Sequence, residues 1–161
     1  MMNEQQVIPY HTTNLSGHRV LVLAPHPDDE TFGCGGALLL HRRQQDPVRV
    51  IFVTSGEAGD WRGGSDPEVF RACREAEALK ALAHLGITDW EFWRYPDRKI
   101  EADGSFISRL TEAIRTCGAT LIYAPSPLEQ HPDHRAVAHA LRAALRGWTG
   151  ALQVGFYEVG Y

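Results

Sequence analysis

The chain has 161 residues, of which 43% are hydrophobic and 22% charged, and this composition is typical of one globular domain. A net charge of −4 and a pI near 6.0, with no Lys/Arg run, argue against nucleic acid or an anionic membrane as the main partner. Three widely spaced cysteines form no disulfide framework, and no apolar run approaches the ~20 residues that span a bilayer, so we expect a cytoplasmic protein. Residues 1–17 are polar and predict a leader before a single domain over 18–161.

The first predicted strand covers residues 20–24, because unbroken Val and Leu are typical of a parallel strand buried on both faces. A loop over 25–36 follows, and the glycines at its end start a helix that should stop before Pro47. A second apolar run over 48–53 predicts the next strand. The glycine-rich stretch after it predicts a loop, and it lacks the Gly-Lys-Ser/Thr of a phosphate-binding loop.

The clearest helix is predicted from Asp66 to Leu85, because Asp66 can cap it, Pro67 suits its first turn and Gly86 follows its end. Its predicted apolar side places Cys73 in the core, so we do not expect a reactive thiol there. The residues of that side are Val69, Cys73, Ala76, Leu79, Leu82 and Ala83.

The rest of the chain continues the alternation of strand and helix. Strands are predicted over 89–93, 120–124 and 152–158, and helices over 105–116 and 133–146. This order predicts an α/β fold, a Rossmann-like three-layer sandwich with a mostly parallel sheet and right-handed crossovers. Residues 20–36 lack the G-x-G-x-x-G spacing of a dinucleotide-binding strand and helix.

Similar groups of polar residues follow the first and fourth predicted strands. One group contains His26 and Asp29, and the other contains His131 and His134. Either group alone could be an ordinary polar turn that caps a helix. Together they offer the nitrogen and oxygen donors that suit a divalent metal, with zinc as the leading choice. Catalytic zinc has three protein ligands, so one of these four residues must serve another role, and spacing alone leaves that choice open.

Four motifs in consistent order then carry a resemblance. They are H-P-D-D-E at 26–30, T-S-G-E at 54–57, R-x-x-E at 74–77 and H-P-D-H-R at 131–135. Over roughly residues 19–135 the chain resembles the PIG-L/LmbE-like superfamily of zinc-dependent N-acetyl-sugar deacetylases. The resemblance implies a Rossmann-like fold and a hydrolase that removes an N-acetyl group from an amino-sugar or glycoconjugate. It implies Zn²⁺ as the metal, with Fe²⁺ as an alternative.

The resemblance also implies a division of roles. His26, Asp29 and His134 would hold the metal, Asp28 would be the general base, and His131 would be the acid or the stabiliser of the tetrahedral oxyanion. This division is chemically reasonable, because a carboxylate beside the metal can take a proton while an imidazole meets the developing charge. Further loop residues are candidates for binding substrate, namely Trp61, Arg62 and Asp97.

Neighbouring residues are expected to support this site. We expect Glu30 to be structural, Asp133 to orient a ligand histidine and Cys34 to pack in the core. Glu129 stands where some family members carry a tyrosine proposed to touch the oxyanion, so that auxiliary role is not expected here. The remaining histidines lie outside any ligand spacing and are expected at the surface or in the core: His11, His18, His41, His84 and His139.

Two other functions remain open at this point. The chain could be an amidase acting on a larger thiol or peptide conjugate, or a metal-binding domain without catalysis. Asp28 and His131 argue against the second alternative, because a structural zinc site uses four closed ligands. The chain is also short for the superfamily. We therefore hypothesise that the natural chain is longer or that a second subunit closes the site in a homo-oligomer.

Overall fold

The computed structural model describes residues 15–60 and 63–160, where five strands alternate with four helices. The strands are β1 (Val20–Ala24), β2 (Val48–Thr54), β3 (Asp89–Tyr95), β4 (Leu121–Pro125) and β5 (Gln153–Tyr157). The helices are α1 (Asp29–Arg43), α2 (Pro67–Leu85), α3 (Gly104–Cys117) and α4 (Pro132–Ala144), and a short 3-10 turn covers Glu57–Gly59. Residues 1–14 of the expected leader lie outside the described residues, so the leader stays a prediction.

The strands form one parallel sheet in the order β3-β2-β1-β4-β5, which confirms the predicted Rossmann-like architecture. Val20 of β1 is level with Val48 of β2 on one side and with Leu121 of β4 on the other. The chain leaves β1 toward β2 and β3, and only later returns to the other side of β1 as β4. The loops after β1 and β4 therefore diverge, and such a point is where ligands bind in open α/β sheets.

Helices cover both faces of the sheet, and alternate strand residues point to opposite sides. Leu21 and Leu23 pack with Phe106 of α3 and Val137 of α4, all almost completely buried. Val20, Val22 and Phe52 pack on the other face with Leu38 of α1 and Leu82 of α2. Full burial of one such large side chain stabilises the fold by about 1.5–3 kcal/mol, so both faces hold the central strands firmly.

The prediction that the first helix starts after the glycines was wrong, because α1 already begins at Asp29. Asp29 and Glu30 suit the first turn of a helix because their charge favours its positive end. Gly33 lies inside the helix because Tyr157 of β5 packs against it, and an added Cβ would overlap the Tyr157 ring. The Tyr157 hydroxyl donates to the carbonyl of Leu23 over 2.8 Å, which fixes the ring there.

The predicted core position of Cys73 was also wrong, because Cys73 is exposed. α2 buries Ala78 and Leu82 instead, and Leu79 packs partly against the same core. The buried face is displaced because Arg74 lies on it and donates to the carbonyl of Pro27. Other members of the predicted apolar side are exposed as well, namely Val69, Ala76 and Ala83.

Helix ends follow the capping residues closely. α3 begins after Asp103, whose carboxylate accepts the N–H of Phe106, and it ends at Gly118 in a left-handed conformation. α4 begins at Pro132, one residue before the prediction, and its last helical residue is Ala144. Among the residues with described structure, no helix combines the length and apolar character needed to cross a membrane. All three cysteines are free.

Candidate metal centre

The two strand-end motifs meet at the carboxyl edge of β1 and β4, on the floor of a cavity of about 510 Å³. His26 follows β1 by two residues, and His131 is the residue that caps α4. Asp28 and Asp29 also line the cavity. The parallel pairing of β1 with β4 therefore brings together residues that are more than a hundred positions apart in the chain.

Three donor atoms at this edge form a nearly regular triangle. The distance from Asp29 Oδ2 is 3.2 Å to His26 Nδ1 and also 3.2 Å to His134 Nε2. The two ring nitrogens lie 3.4 Å apart. Zinc–nitrogen bonds of about 2.0–2.1 Å place neighbouring ligand atoms of a tetrahedral ion about 3.3–3.4 Å apart, so this donor set fits zinc.

Backbone contacts hold the triangle in place. Asp29 Oδ2 also accepts the N–H of His26 over 2.8 Å, because both residues lie in the tight turn that starts α1. His134 lies in the first turn of α4 and is completely buried. Burial raises the pKa of Asp29, but hydrogen bonds from His134 and His26 outweigh it and hold this pKa below its usual range. These hydrogen bonds therefore favour the ionised form of the Asp29 carboxylate.

Asp28 adopts a left-handed backbone conformation with φ at 123°, which is strained for any residue except glycine. Such strain costs about 1–3 kcal/mol and persists only where neighbours enforce it. Glu30 is one of these neighbours, because its Oε2 accepts the N–H of Asp28 over 3.0 Å. Glu30 is completely buried and also accepts a hydrogen bond from the Thr31 hydroxyl, which confirms its structural role.

Arg74 is the second support of Asp28, a role that the sequence did not indicate. Its Nη2 donates to the carbonyl of Pro27 over 2.6 Å and to Asp28 Oδ2 over 3.0 Å. Burial and the nearby charge of Asp29 raise the pKa of Asp28, and Arg74 opposes that rise. The R-x-x-E motif was the available signal, but a motif does not say which loop its arginine will reach.

His26 is fixed through its second ring nitrogen. Nε2 lies 3.2 Å from Asp97 Oδ1 and 3.2 Å from Asp133 Oδ2. Asp133 Oδ2 also accepts the N–H of Arg98, and Asp97 Oδ2 accepts that of Ala58. Burial lowers the pKa of His26, but hydrogen bonds to the surrounding carboxylates outweigh it and raise this pKa to about 11. Carboxylates in this position orient metal-binding histidines in many sites.

Asp133 contacts Nε2 of His26, as expected of a residue that orients a ligand histidine. Asp97, predicted to bind substrate, lines the cavity, but each of its carboxylate oxygens already contacts the protein. Glu57 in turn positions Asp97, because Glu57 Oε1 accepts the Asp97 N–H over 2.9 Å. The T-S-G-E motif marked Glu57, although the sequence did not reveal its partner.

His131 lies beside the triangle and lines the cavity, where it is partly exposed. Its ring centre is 4.6 Å from that of His26 and 5.2 Å from that of His134. Its Nδ1 accepts the N–H of Asp133 over 3.3 Å. Burial and the positive charge of His26 lower the pKa of His131, so the neutral ring is favoured.

Donor atoms at this edge can be grouped in more than one way. His26, His131 and His134 each offer an atom within 4.8 Å of the others, and so does the set His26, Asp97, His131 and Asp133. Asp97 and Asp133 of the second set accept backbone N–H groups, as Asp29 does. We prefer the triangle with Asp29, because its three donor atoms lie 3.2–3.4 Å apart, close to the spacing of ligand atoms around a tetrahedral zinc ion.

Other predicted residues have different outcomes. Trp61 and Arg62 lie outside the described residues, so their contact with substrate stays a prediction. Cys34 is buried and donates to the carbonyl of Glu30, as expected of a core residue. A second cavity of about 310 Å³ lies at the opposite edge of the sheet, where Arg19 and Arg42 are among its lining residues. That lining contains no histidine, and both groups of described residues that could hold a metal include His26 of the first cavity.

Comparison with known proteins gives relatives that are named for two different activities. A Bacillus anthracis protein named probable N-acetyl-alpha-D-glucosaminyl L-malate deacetylase 2 is 29% identical over 148 residues, 88% of this chain and 66% of the relative. The 4-oxalmesaconate hydratase of Pseudomonas putida is 28% identical over 130 residues, 77% of this chain and 50% of the hydratase. The chain thus spans between half and two thirds of the length of these relatives.

Solved structures share the fold. The crystal structure of the conserved protein TT1542 from Thermus thermophilus superposes with a TM-score of 0.75 at 28% identity, covering 90% of this chain and 68% of that one. The family model PIG-L, described as GlcNAc-PI de-N-acetylase, matches residues 21–145. That match spans most of the chain and includes both strand-end motifs, which confirms the resemblance. The chain therefore belongs to the PIG-L family.

Proposed function

We propose that this chain is a zinc-dependent hydrolase that removes an N-acetyl group from an amino-sugar or glycoconjugate. The observation that carries the proposal is the triangle of His26 Nδ1, Asp29 Oδ2 and His134 Nε2, with sides of 3.2, 3.2 and 3.4 Å. Family membership and the deacetylase name of the Bacillus anthracis relative support the choice of reaction. Zn²⁺ is the proposed metal, and Fe²⁺ could occupy the same donors.

Bound zinc would lower the pKa of water to about 7 and polarise the amide carbonyl. Asp28 lines the cavity beside the metal ligands without belonging to their triangle, so we assign it the role of general base. Its strained backbone and its contact with Arg74 keep the carboxylate in one place. This arrangement lets Asp28 accept a proton from water and pass it to the departing amine.

His131 is assigned to the charge that develops on the carbonyl oxygen. Because its Nδ1 accepts the N–H of Asp133, the neutral ring carries its proton on Nε2. A proton in that position can be donated to the oxygen of a tetrahedral intermediate. For the binding of substrate hydroxyls we propose Trp61, Arg62 and Asp97, of which Asp97 lines the cavity.

A second candidate reaction is hydration of a carbon–carbon double bond, because one relative is named a hydratase. Both reactions need an activated water, a base and an acid, so the same residues could serve either. The sequence leaves two alternatives open. An amidase for larger conjugates would give different products, and a metal-binding domain without catalysis would give none. Product analysis separates all of them.

The test is acetate release by the full chain, first stripped of metal with a chelator and then restored with Zn²⁺. We expect acetate from one or more N-acetylated amino-sugars, activity only after zinc is restored, and no hydration of 4-oxalmesaconate. Hydration without acetate release would favour the second reaction. Acetate release by metal-free protein at the same rate would contradict a metal-dependent mechanism.

We further propose a cytoplasmic location and association into a homo-oligomer. The three free cysteines support a reducing compartment. β5 forms one edge of the sheet, and Phe156 on it is 56% exposed, as expected of a surface that pairs with another copy. Light scattering at micromolar concentration tests the association. A stable, active dimer is expected, and a fully active monomer would contradict it.

A further inference from the structure

The two ring nitrogens of His134 lie in different surroundings. Nε2 lies 3.2 Å from Asp29 Oδ2, at one corner of the triangle. Nδ1 is buried and has no hydrogen-bond partner among the described residues. An imidazole that binds metal through Nε2 must carry its proton on Nδ1, and a buried N–H without an acceptor costs about 1–3 kcal/mol. Nδ1 of His134 therefore needs a hydrogen-bond acceptor. The corresponding nitrogen of His26, Nε2, already has two acceptors, Asp97 and Asp133.

Glu129 is the carboxylate nearest to this nitrogen. Its Oε1 lies 3.7 Å from His134 Nδ1, slightly beyond hydrogen-bond distance. The Glu129 side chain is buried, and a buried carboxyl group needs hydrogen-bond partners. Its N–H donates to the carbonyl of Ser126, which holds the backbone of Glu129 beside the start of α4.

Oε1 of Glu129 has one short contact already. It accepts the N–H of Val159 over 2.6 Å. Val159 follows β5, and together with Gly160 it lines the cavity of about 510 Å³. The same carboxylate oxygen therefore lies between the wall of the cavity and a proposed metal ligand.

We propose that Glu129 is a positioning residue that accepts the Nδ1–H of His134 and so fixes the ring for metal binding through Nε2. Closing the gap from 3.7 Å needs a displacement of less than 1 Å, which a side chain can supply by small torsional changes. The inference rests on the proposed metal centre. It assigns Glu129 a role on the protein side of the metal, away from the substrate.

The test is the Zn²⁺ affinity of the full chain, measured by competition with a chromophoric chelator. Loss of a carboxylate that supports a metal ligand typically weakens binding by about 10- to 100-fold, and we expect this for Glu129→Ala. Glu129→Gln keeps an oxygen that can accept the same proton, so a smaller loss is expected. Glu158→Gln is the matched control, because Glu158 is an exposed glutamate beside Val159. The zinc affinity of this variant should equal that of the wild type.

A purely structural role for Glu129 predicts a different pattern. If Glu129 only anchors residues 158–160, Val159→Pro would weaken zinc binding as much as Glu129→Ala does, because it removes the Val159 N–H. We expect Val159→Pro to keep its zinc affinity within about twofold, well below the 10- to 100-fold loss assigned to the carboxylate. Equal losses in both variants would overturn the inference.

Nitrogen-15 spectra of labelled histidine give a second readout that an anchoring role would not change. In zinc-loaded wild type, His134 should show a protected Nδ1–H, and this proton should exchange faster in Glu129→Ala. A folded Glu129→Ala protein with wild-type zinc affinity and an unchanged Nδ1–H would refute the role of Glu129. Wild type that binds no zinc would instead refute the proposed function itself.

Discussion

Two buried histidines, His26 and His41, show what separates a reactive cluster from a structural one. His41 lies in α1 and is completely buried. Its Nδ1 lies 2.8 Å from Asp46 Oδ2, and its Nε2 lies 3.0 Å from the Tyr123 hydroxyl. Each ring nitrogen has one partner, so this cluster is complete as it stands.

His26 is also buried and also contacts carboxylates, but its surroundings are not complete. Its Nδ1 faces Asp29 Oδ2 and His134 Nε2, so that three possible metal-ligand atoms lie within 3.4 Å of one another. Three such atoms repel one another unless a proton or a metal ion lies between them. A buried histidine beside a carboxylate is therefore no evidence of a metal site, whereas convergence of three donor atoms is.

Removal of a metal ligand should separate the two clusters most sharply. We expect His134→Ala to weaken Zn²⁺ binding by more than about 100-fold, because loss of a supporting residue alone costs about 10- to 100-fold. The control is His139→Ala, an exposed histidine on the same helix. Equilibrium dialysis followed by elemental analysis measures both variants. Equal zinc content in His134→Ala and wild type would remove His134 from the ligand set.

Asp28→Asn tests whether a residue beside the triangle can be lost without loss of metal. The amide cannot accept a proton, so turnover should fall by about 10²- to 10⁴-fold while zinc content stays at the wild-type level. Asp89→Asn is a suitable control, because Asp89 is exposed at the start of β3. Metal loss in Asp28→Asn would make Asp28 a ligand, and undiminished turnover would exclude it as the base.

The His41 cluster should respond in the opposite way. His41→Ala leaves a cavity and removes a partner from both Asp46 and Tyr123, so the free energy of unfolding should fall by about 2–4 kcal/mol. Zinc affinity of the folded variant should not change. Urea unfolding and chelator competition measure the two quantities. A His41→Ala protein of normal stability but weak zinc binding would show that the His41 cluster supports metal binding and not the fold.

Acid should weaken the His41 cluster through Asp46. Burial raises the pKa of Asp46, but hydrogen bonds to His41 and to the N–H groups of Gly17 and His18 outweigh it and hold the pKa below its usual range. The ionised carboxylate therefore adds stability that is complete above the unfolded pKa of about 3.9 and is lost as pH falls through the folded pKa.

Urea unfolding at several pH values, with wild type and Asp46→Asn, measures this contribution. The stability difference between the two proteins should be constant above about pH 5 and should shrink below about pH 4. This is the smallest of the expected effects. A difference that is the same at every pH would show that ionisation of Asp46 does not contribute.

The sequence predicted the fold well because its signals are local. The apolar run at 20–24 and the cap Asp66 depend on neighbours a few positions away, and the structure confirms these elements. The start of α1 was missed because Gly33 is there to admit Tyr157, which lies far along the chain.

The site was predictable to the level of its motifs and no further. His26, Asp29 and His134 could be named because each stands in a recognisable motif, and the structure brings their donor atoms together. The contact of Arg74 with Asp28 and the approach of Glu129 to His134 depend on how helices and loops pack. Spacing in the sequence contains no information on such contacts.

The most direct test of the metal centre is an anomalous difference map at the zinc edge, from crystals of the zinc-loaded chain. We predict one peak per chain, about 2.0–2.2 Å from His26 Nδ1, Asp29 Oδ2 and His134 Nε2. A peak within bonding distance of Asp97, His131 and Asp133, with none at the triangle, would contradict this assignment.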